Sequence, residues 1–206
     1  VHLTENKLFT RYLSDGNDCC RNGVCSMRGM AEDDEGNIYF TYYNSIHVLS
    51  PRSGALSPLL SPALRDMGPP FGLLYFDHAL WTGDGLRIDL RRFSIDTLFK
   101  SEPDTEGVVM LDQDSTIWFG HGGQLFLLNP ASYSASGLID KSGLLARDSI
   151  GHITFLQPGI EKNTVWMGTR ERGFYKINKT DGSARRYHTG NLAGLPSNRI
   201  LALKEH

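Results

Sequence analysis

Short apolar runs separated by polar, glycine-rich turns recur along this chain. Four of them centre on an aromatic residue: Ile38-Tyr39-Phe40, Leu80-Trp81-Thr82, Ile117-Trp118-Phe119 and Val165-Trp166-Met167. Runs of this length, rich in β-branched and aromatic residues, predict strands and not helices. The spacing from one central aromatic residue to the next is 42, 37 and 48 residues, which is typical of propeller blades.

Each aromatic strand has an apolar strand before it and a third strand after it. The preceding strands are predicted at 27–31, 72–76, 108–111 and 152–156, and the following strands at 46–49, 86–90, 125–128 and 174–177. A more polar fourth strand ends the unit, as at 184–188. Four short antiparallel strands per repeat make a propeller blade. The chain is therefore predicted to be all-β, with blades at approximately 26–61, 70–100, 107–140 and 150–189.

Two segments outside these blades also have strand-like patterns. Residues 7–13 look like the last strand of a preceding blade, and residues 198–205 look like the first strand of a following one. Stacked repeats and open sheet edges leave surfaces that need covering. We therefore predict a single propeller segment over 1–206 that belongs to a larger propeller or is completed by another chain.

Composition narrows the function classes. The 206 residues are 40% hydrophobic, include 22 glycines and carry a formal net charge of −2. No block of five or six like charges occurs, which argues against a nucleic-acid surface. No apolar run approaches the ~20 residues that a membrane-spanning helix needs.

Three cysteines, Cys19, Cys20 and Cys25, lie close together near the start of the chain. One disulfide, either Cys20–Cys25 or Cys19–Cys25, could form in an oxidising compartment, and free thiols are the alternative. No second Cys or Cys/His pair lies nearby at ligand spacing, so we expect no zinc site. We also expect no cofactor.

The last blade carries the most specific motif. Residues 166–169 read Trp-Met-Gly-Thr, residues 173–178 read Gly-Phe-Tyr-Lys-Ile-Asn, and residues 194–198 read Gly-Leu-Pro-Ser-Asn. Together they resemble the two-component regulator propeller repeat family, as do residues 31–40 and 117–120 less closely. The resemblance covers most of residues 20 to 206. Residues 70–100 match least, because Trp81-Thr82-Gly83 stands where Trp-x-Gly-Thr is the family pattern.

This resemblance implies a sensor. Repeats of the family typically form the extracytoplasmic part of membrane-anchored bacterial receptors, many of them hybrid histidine kinases that detect carbohydrates. We therefore expect a periplasmic, non-catalytic module that binds an oligosaccharide or other small molecule. Its further partners would be the remaining blades or a second copy of the chain.

Candidate binding residues follow from the blade pattern. In propellers the loops between second and third strands share a face with the loops that join one blade to the next, and binding sites favour such loops. Polar and aromatic groups on this rim could suit a sugar. The predicted ligand-binding residues are Tyr43, Asp84, His121, Arg147, His152, Arg170 and Arg172.

One pair among them supports an alternative function. His121 ends the aromatic strand of the third blade, and His152 opens the fourth, with Asp148 nearby in sequence. If both histidines reached the same rim, they could act as an acid/base pair of a propeller lyase. The structural alternative is two hydrogen-bonding rim histidines, which we favour because no nucleophile or metal motif accompanies them. A third possibility is a scaffold that binds only protein.

Overall fold

The computed structural model describes residues 27–42, 45–59, 72–99, 106–129, 132, 134–137, 145 and 150–205. Apart from Ile150, which is helical, the residues of these ranges that are in regular elements belong to β-strands. They are β1 Met30–Glu32, β2 Ile38–Tyr42, β3 Ser45–Ser50, β4 Ala55–Pro58, β5 Leu73–Phe76, β6 Ala79–Thr82, β7 Leu86–Asp89, β8 Ser94–Thr97, β9 Val108–Leu111, β10 Ile117–His121, β11 Gln124–Asn129, β12 Ser134–Gly137, β13 Ile153–Pro158, β14 Thr164–Thr169, β15 Phe174–Asn178 and β16 Ala184–Tyr187.

The strands form four separate sheets, each a four-stranded antiparallel meander in chain order. We call them blades one to four. Within each blade, the second strand pairs with the first and the third, and the fourth pairs with the third. The first strands of successive blades, β1, β5, β9 and β13, lie next to one another on the inner side of the arc. This arrangement confirms the predicted all-β propeller segment of four four-stranded blades.

The four aromatic residues of the repeat occupy equivalent places. In the register of each blade, the central aromatic of the second strand lies between one residue of the first strand and one of the third. These triplets are Ala31–Tyr39–Val48, Leu74–Trp81–Arg87, Met110–Trp118–Leu127 and Gln157–Trp166–Lys176. Blade two keeps this geometry although its motif departs from the family pattern.

Three apolar clusters hold successive blades together. Tyr39 joins the cluster between blades one and two, Trp81 the one between blades two and three, and Trp118 the one between blades three and four. Because side chains alternate along a strand, one face of each sheet meets the preceding blade and the other meets the following one. Each central aromatic residue therefore points toward the next blade in sequence.

Trp166 follows the same rule and so lies on the outer face of blade four. Its strand neighbours Val165 and Met167 are buried against blade three. The Trp166 ring contacts Phe174 and Tyr187 at centroid distances of 5.8 and 6.0 Å, and those two rings stack at 4.9 Å. We call this surface the open face of blade four.

The predicted strand at 198–205 is wrong, because these residues form no strand in the structure. The segment instead lies along blade four. The amide of Gly173 donates to the carbonyl of Asn198 at 2.8 Å, and the amide of Ile200 donates to the carbonyl of Thr169 at 2.9 Å. A ladder needs a partner strand, and none of the described residues pairs with this segment in one. The predicted strand at 7–13 lies outside the described residues.

No helix in the described part of the chain is both long and apolar enough to cross a lipid bilayer.

Candidate ligand-binding rim

A threonine near the end of the second strand shapes the rim in three of the blades. Thr41, Thr82 and Thr169 are all buried. The Thr41 hydroxyl oxygen accepts the Arg28 amide at 2.9 Å, and the Thr82 hydroxyl oxygen accepts the Leu86 amide at 3.3 Å. A short polar side chain that bonds nearby backbone is a standard way to stabilise a turn. The Thr of the Gly-Thr motif therefore has a structural role.

In blade four this turn aims Arg170 toward the inner side of the arc. The Thr169 hydroxyl donates to the Gly173 carbonyl at 2.8 Å and accepts the Arg172 amide at 2.9 Å. The Arg170 amide donates to the His152 carbonyl at 2.9 Å, which ties the turn to the start of the blade. The Arg170 side chain then reaches Glu106 at the start of blade three, with 2.7 Å between Nη2 and Oε2.

Glycines let the blades come together at this edge. A glycine precedes the first strand in three blades, at Gly29, Gly72 and Gly107. A Cβ atom built on Gly107 would lie 2.1 Å from the carbonyl oxygen of Gly83, and one on Gly29 would lie 2.7 Å from the backbone of Gly72. Only residues without a side chain allow such an approach.

An open cavity of about 600 Å³ lies on the inner side of the arc, where the first strands begin. We call it the inner cavity. Among the described residues, three ionisable side chains line it: Arg28, Glu106 and Arg170. The other described residues of its wall are Gly29, Gly72, Leu73, Gly107, Val108, Val109, Ile153, Thr154, Phe155, Leu156 and Leu201. Charged groups beside an apolar wall are what a polar small-molecule ligand needs for orientation and contact area.

Of the predicted ligand-binding residues, only Arg170 lines the inner cavity in the described structure. His152 is half-exposed, and its Nδ1 lies 3.5 Å from the Glu171 carboxylate. Arg172 is exposed in the same turn, and Asp84 lies in the turn between β6 and β7. Tyr43 and Arg147 lie outside the described residues, as do Asp148 and the three cysteines.

The structure does not assemble the predicted pair of His121 and His152. Side chains alternate along β10, so His121 shares the face of Phe119, which packs toward blade two. Its ring lies 5.8 Å from that of Phe99 and is only 5% exposed. His152 belongs to blade four, on the other side of the β10 sheet. The sequence placed both histidines at the rim, which suggested that they lie close together. Because side chains alternate along a strand, the two rings instead lie on different surfaces.

The sequence-based selection missed Arg28 and did not choose Glu106. A signal for both is present, since each residue directly precedes the glycine before a first strand, as in Arg28-Gly29 and Glu106-Gly107. Their equivalents are Phe71 and Ile150 in blades two and four. In blade four the equivalent residue, Ile150, is buried in the core, so the glycine alone does not mark a cavity position.

The opposite edge of the arc has a different chemistry. There, Asp33 accepts the Tyr39 hydroxyl at 3.1 Å, and Asp34 accepts the Tyr75 hydroxyl at 2.8 Å. Burial raises the pKa of Tyr39 to about 12, with the charge of Asp33 adding to the effect. Burial alone would raise the pKa of Asp33, but hydrogen bonds from Asn37 and its other neighbours bring it below the ordinary value. These bonds stabilise the hairpin between β1 and β2.

No group of three or more His, Cys, Asp or Glu side chains in the described ranges is arranged to hold a metal ion.

Several solved structures resemble this fold. The extracellular domains assigned to the hybrid two-component systems BT3049 and BT4673 of B. thetaiotaomicron align with TM-scores of 0.68 and 0.67, both at 14% identity. They cover 86% and 85% of this chain, which spans only 24% of each of theirs. Virginiamycin B lyase from Staphylococcus aureus aligns with a TM-score of 0.59 at 15% identity, over 84% of this chain and 58% of the lyase.

At these identities the likeness shows the fold alone. No protein-family model and no curated protein sequence matches the chain. The chain is therefore a β-propeller segment of the architecture seen in extracellular domains of two-component receptors.

Proposed function

We propose that this chain is a ligand-sensing propeller module of a two-component signalling receptor. Its position would be extracytoplasmic, in the periplasm, and its ligand an oligosaccharide or another small molecule. Two lines of reasoning support the proposal: the motif resemblance over residues 166–198, and the likeness of the fold to extracellular domains of two-component systems. Neither line depends on the other.

The inner cavity is the observation that carries a binding role. At about 600 Å³ it falls within the usual range of small-molecule sites. Arg28, Glu106 and Arg170 supply directional hydrogen bonding, while Leu73 and Val109 are among the apolar wall residues that could contact the C–H surface of a sugar ring.

A non-catalytic role fits the separation of His121 from His152. An acid/base mechanism needs both groups within hydrogen-bond reach of one substrate. Here the His121 ring packs against Phe99, and His152 contacts Glu171. The likeness to a lyase is therefore not accompanied by the histidine pair that would have supported a lyase reaction.

Ligand binding could act by shifting an equilibrium. The inner cavity is lined by the first strands of several blades and by the turn that carries Arg170. A ligand that contacts several blades binds one relative arrangement of them better than another, and it shifts the population by that difference in affinity. The receptor output would then follow the favoured arrangement.

Binding of oligosaccharides to the protein at its full natural length tests this proposal. Titration calorimetry against a panel of plant and host oligosaccharides should give saturable binding to at least one member. Arg170→Ala should weaken that binding, whereas Arg52→Ala, in the exposed turn between β3 and β4, should not. A flat response to the whole panel would contradict a carbohydrate ligand.

The open face of blade four supports a second proposal, which concerns partners. Trp166 holds the place at which Tyr39, Trp81 and Trp118 meet the next blade, so we expect a sheet of the same kind to cover it. Further blades or a second copy of the chain could supply that sheet. Light scattering on the protein at its full natural length separates these possibilities. A second copy predicts a dimer that Trp166→Arg dissociates. Further blades predict a monomer in which Trp166 is covered. A monomer in which Trp166 is readily quenched by iodide would contradict both.

A further inference from the structure

The hydrogen bonding of Arg170 is incomplete. A guanidinium has five N–H donors in a planar fork that matches two oxygens of a carboxylate or sulfate. In this structure Nη2 donates to Glu106 Oε2 at 2.7 Å. The Nε atom of Arg170 is buried and has no acceptor among the described residues. The side chain as a whole is 38% exposed, so the accessible part of the guanidinium could still donate to an anionic oxygen.

The pair between Arg170 and Glu106 is replaceable. Their side chains are 38% and 47% exposed. Ion pairs at this level of exposure contribute little to stability, because water and salt screen them. A ligand anion could thus take the place of Glu106, or bind beside it, at small cost. Glu106 would act as an internal competitor for the same guanidinium.

The charge of the cavity wall favours an anion. Among the described residues, two arginines and one glutamate line the inner cavity, so positive side chains outnumber negative ones there. The remaining wall is largely apolar or backbone, which screens a bound charge less than open water does.

Resting on the proposed sensing function, we propose that the inner cavity selects oligosaccharides that carry a carboxylate or sulfate group, with Arg170 binding the anion and Glu106 competing with it. A carboxylate presents two coplanar oxygens to an arginine, and a sulfate ester presents two of its three tetrahedral oxygens. A neutral sugar offers only uncharged hydroxyl acceptors, and hydrogen bonds between these and a guanidinium are weaker than those that an anion makes.

A glycan array and titrations with the full-length protein test this inference. The array should hold neutral, uronate-containing and sulfated oligosaccharides of matched length, so that the two acidic sources are distinguished. We expect binding to acidic members, weakened by added salt. Arg170→Gln should lower the affinity for the best acidic member by about tenfold or more, since hydrogen bonds to charged groups are the strong ones.

The Glu106→Gln variant sharpens the test, because removal of the competitor should raise that same affinity. Arg52→Gln removes the same charge from an exposed turn and should change neither binding nor its salt dependence. Binding of neutral members in place of acidic ones would overturn the charge selection and leave the sensing function standing. No binding by any member would contradict the sensing function itself. Acidic binding that Arg170→Gln does not weaken would overturn the site.

Discussion

The contact between blades three and four and the open face of blade four are built from equivalent residues in different surroundings. Trp118 is 0% exposed, and its indole N–H donates to Asp112 at 3.1 Å. Trp166 is partly exposed, and its indole N–H donates to Glu205 at 3.0 Å. The position in the repeat is the same for both tryptophans. A neighbouring blade covers the first, whereas among the described residues outside blade four the segment 198–205 contacts the second.

The polar contacts of the two tryptophans also differ between the covered contact and the open face. At the closed contact, Asp112 is buried and also accepts Lys179 of blade four at 2.7 Å, so that one carboxylate joins two blades. At the open face, Glu205 bonds Trp166 and the Ile160 amide from a segment that belongs to no sheet. The comparison teaches that a blade's contribution to stability depends on whether its forward face is covered.

The largest expected effect comes from truncating the covered tryptophan. Trp118→Ala removes a fully buried indole and should lower the free energy of unfolding by about 3–5 kcal/mol. Trp166→Ala removes a partly exposed ring and should cost about 1–2 kcal/mol. Urea unfolding followed by circular dichroism measures both. Equal losses would mean that the two surroundings are energetically alike.

The next largest loss of stability is expected when the carboxylate between blades three and four is removed. Asp112→Asn leaves Lys179, whose side chain is only 13% exposed, without its nearest counter-charge and should cost about 3 kcal/mol. Asp114 also approaches Lys179, at 3.4 Å, but its side chain is 56% exposed. The matched Asp114→Asn variant should therefore cost about 0–1 kcal/mol. A reversed order in urea unfolding would show that the Asp112 contact does not stabilise the interface.

A smaller loss of stability is expected when a methyl group is added where two blades meet. The Cβ of Gly107→Ala would lie 2.1 Å from the rigid carbonyl oxygen of Gly83, so blades two and three must shift, at about 1–3 kcal/mol. Gly120→Ala meets only side-chain methyl groups of Ile153 and Val108, at 2.9 Å. It should therefore cost less, and thermal unfolding of the two variants compares them. Equal stability of wild type and Gly107→Ala would contradict the close approach.

The smallest expected effect is a change with pH in the solvent exposure of Trp166 on the open face of blade four. Hydrogen bonds from the Ile160 amide and the Trp166 indole lower the pKa of Glu205 below 4.5. A lowered pKa means that this contact is present above pH 4.5 and is lost as the pH falls through the folded value. Acrylamide quenching of Trp166 should therefore increase on acidification while the buried Trp81 and Trp118 stay protected. Glu205→Gln should remove the pH dependence, and wild-type quenching that does not change on acidification before the protein unfolds would contradict the contact.

The sequence predicted the fold better than the site. Strand order, the equivalence of the four aromatic residues and the role of blade two in the repeat all followed from spacing. The turn of Asp77 and His78 did not, because both residues have positive φ, 50° and 56°, without the Asn-Gly or Asp-Gly pair that signals such turns. The strand predicted at 198–205 failed because a strand depends on its pairing partner.

For the site, Arg170 was predicted and lines the inner cavity, whereas Arg28 was missed and His121 points elsewhere. The spacing of the sequence repeat is enough to predict which residues lie near the rim. The face that a side chain takes depends on strand register, and a shift of one residue reverses it. The contact between Arg170 and Glu106 depends on how blades three and four pack against each other. Local sequence patterns do not predict that packing.

The sequence by itself determined that this chain makes four like sheets, because the alternation of apolar residues and the turn chemistry are local properties repeated along it. Only the tertiary structure decided which equivalent residues are buried, which charges meet and where a cavity opens. Those outcomes depend on the sheet that lies opposite, where residues from separate blades meet although they are far apart in the chain, as Arg170 and Glu106 are with a separation of 64.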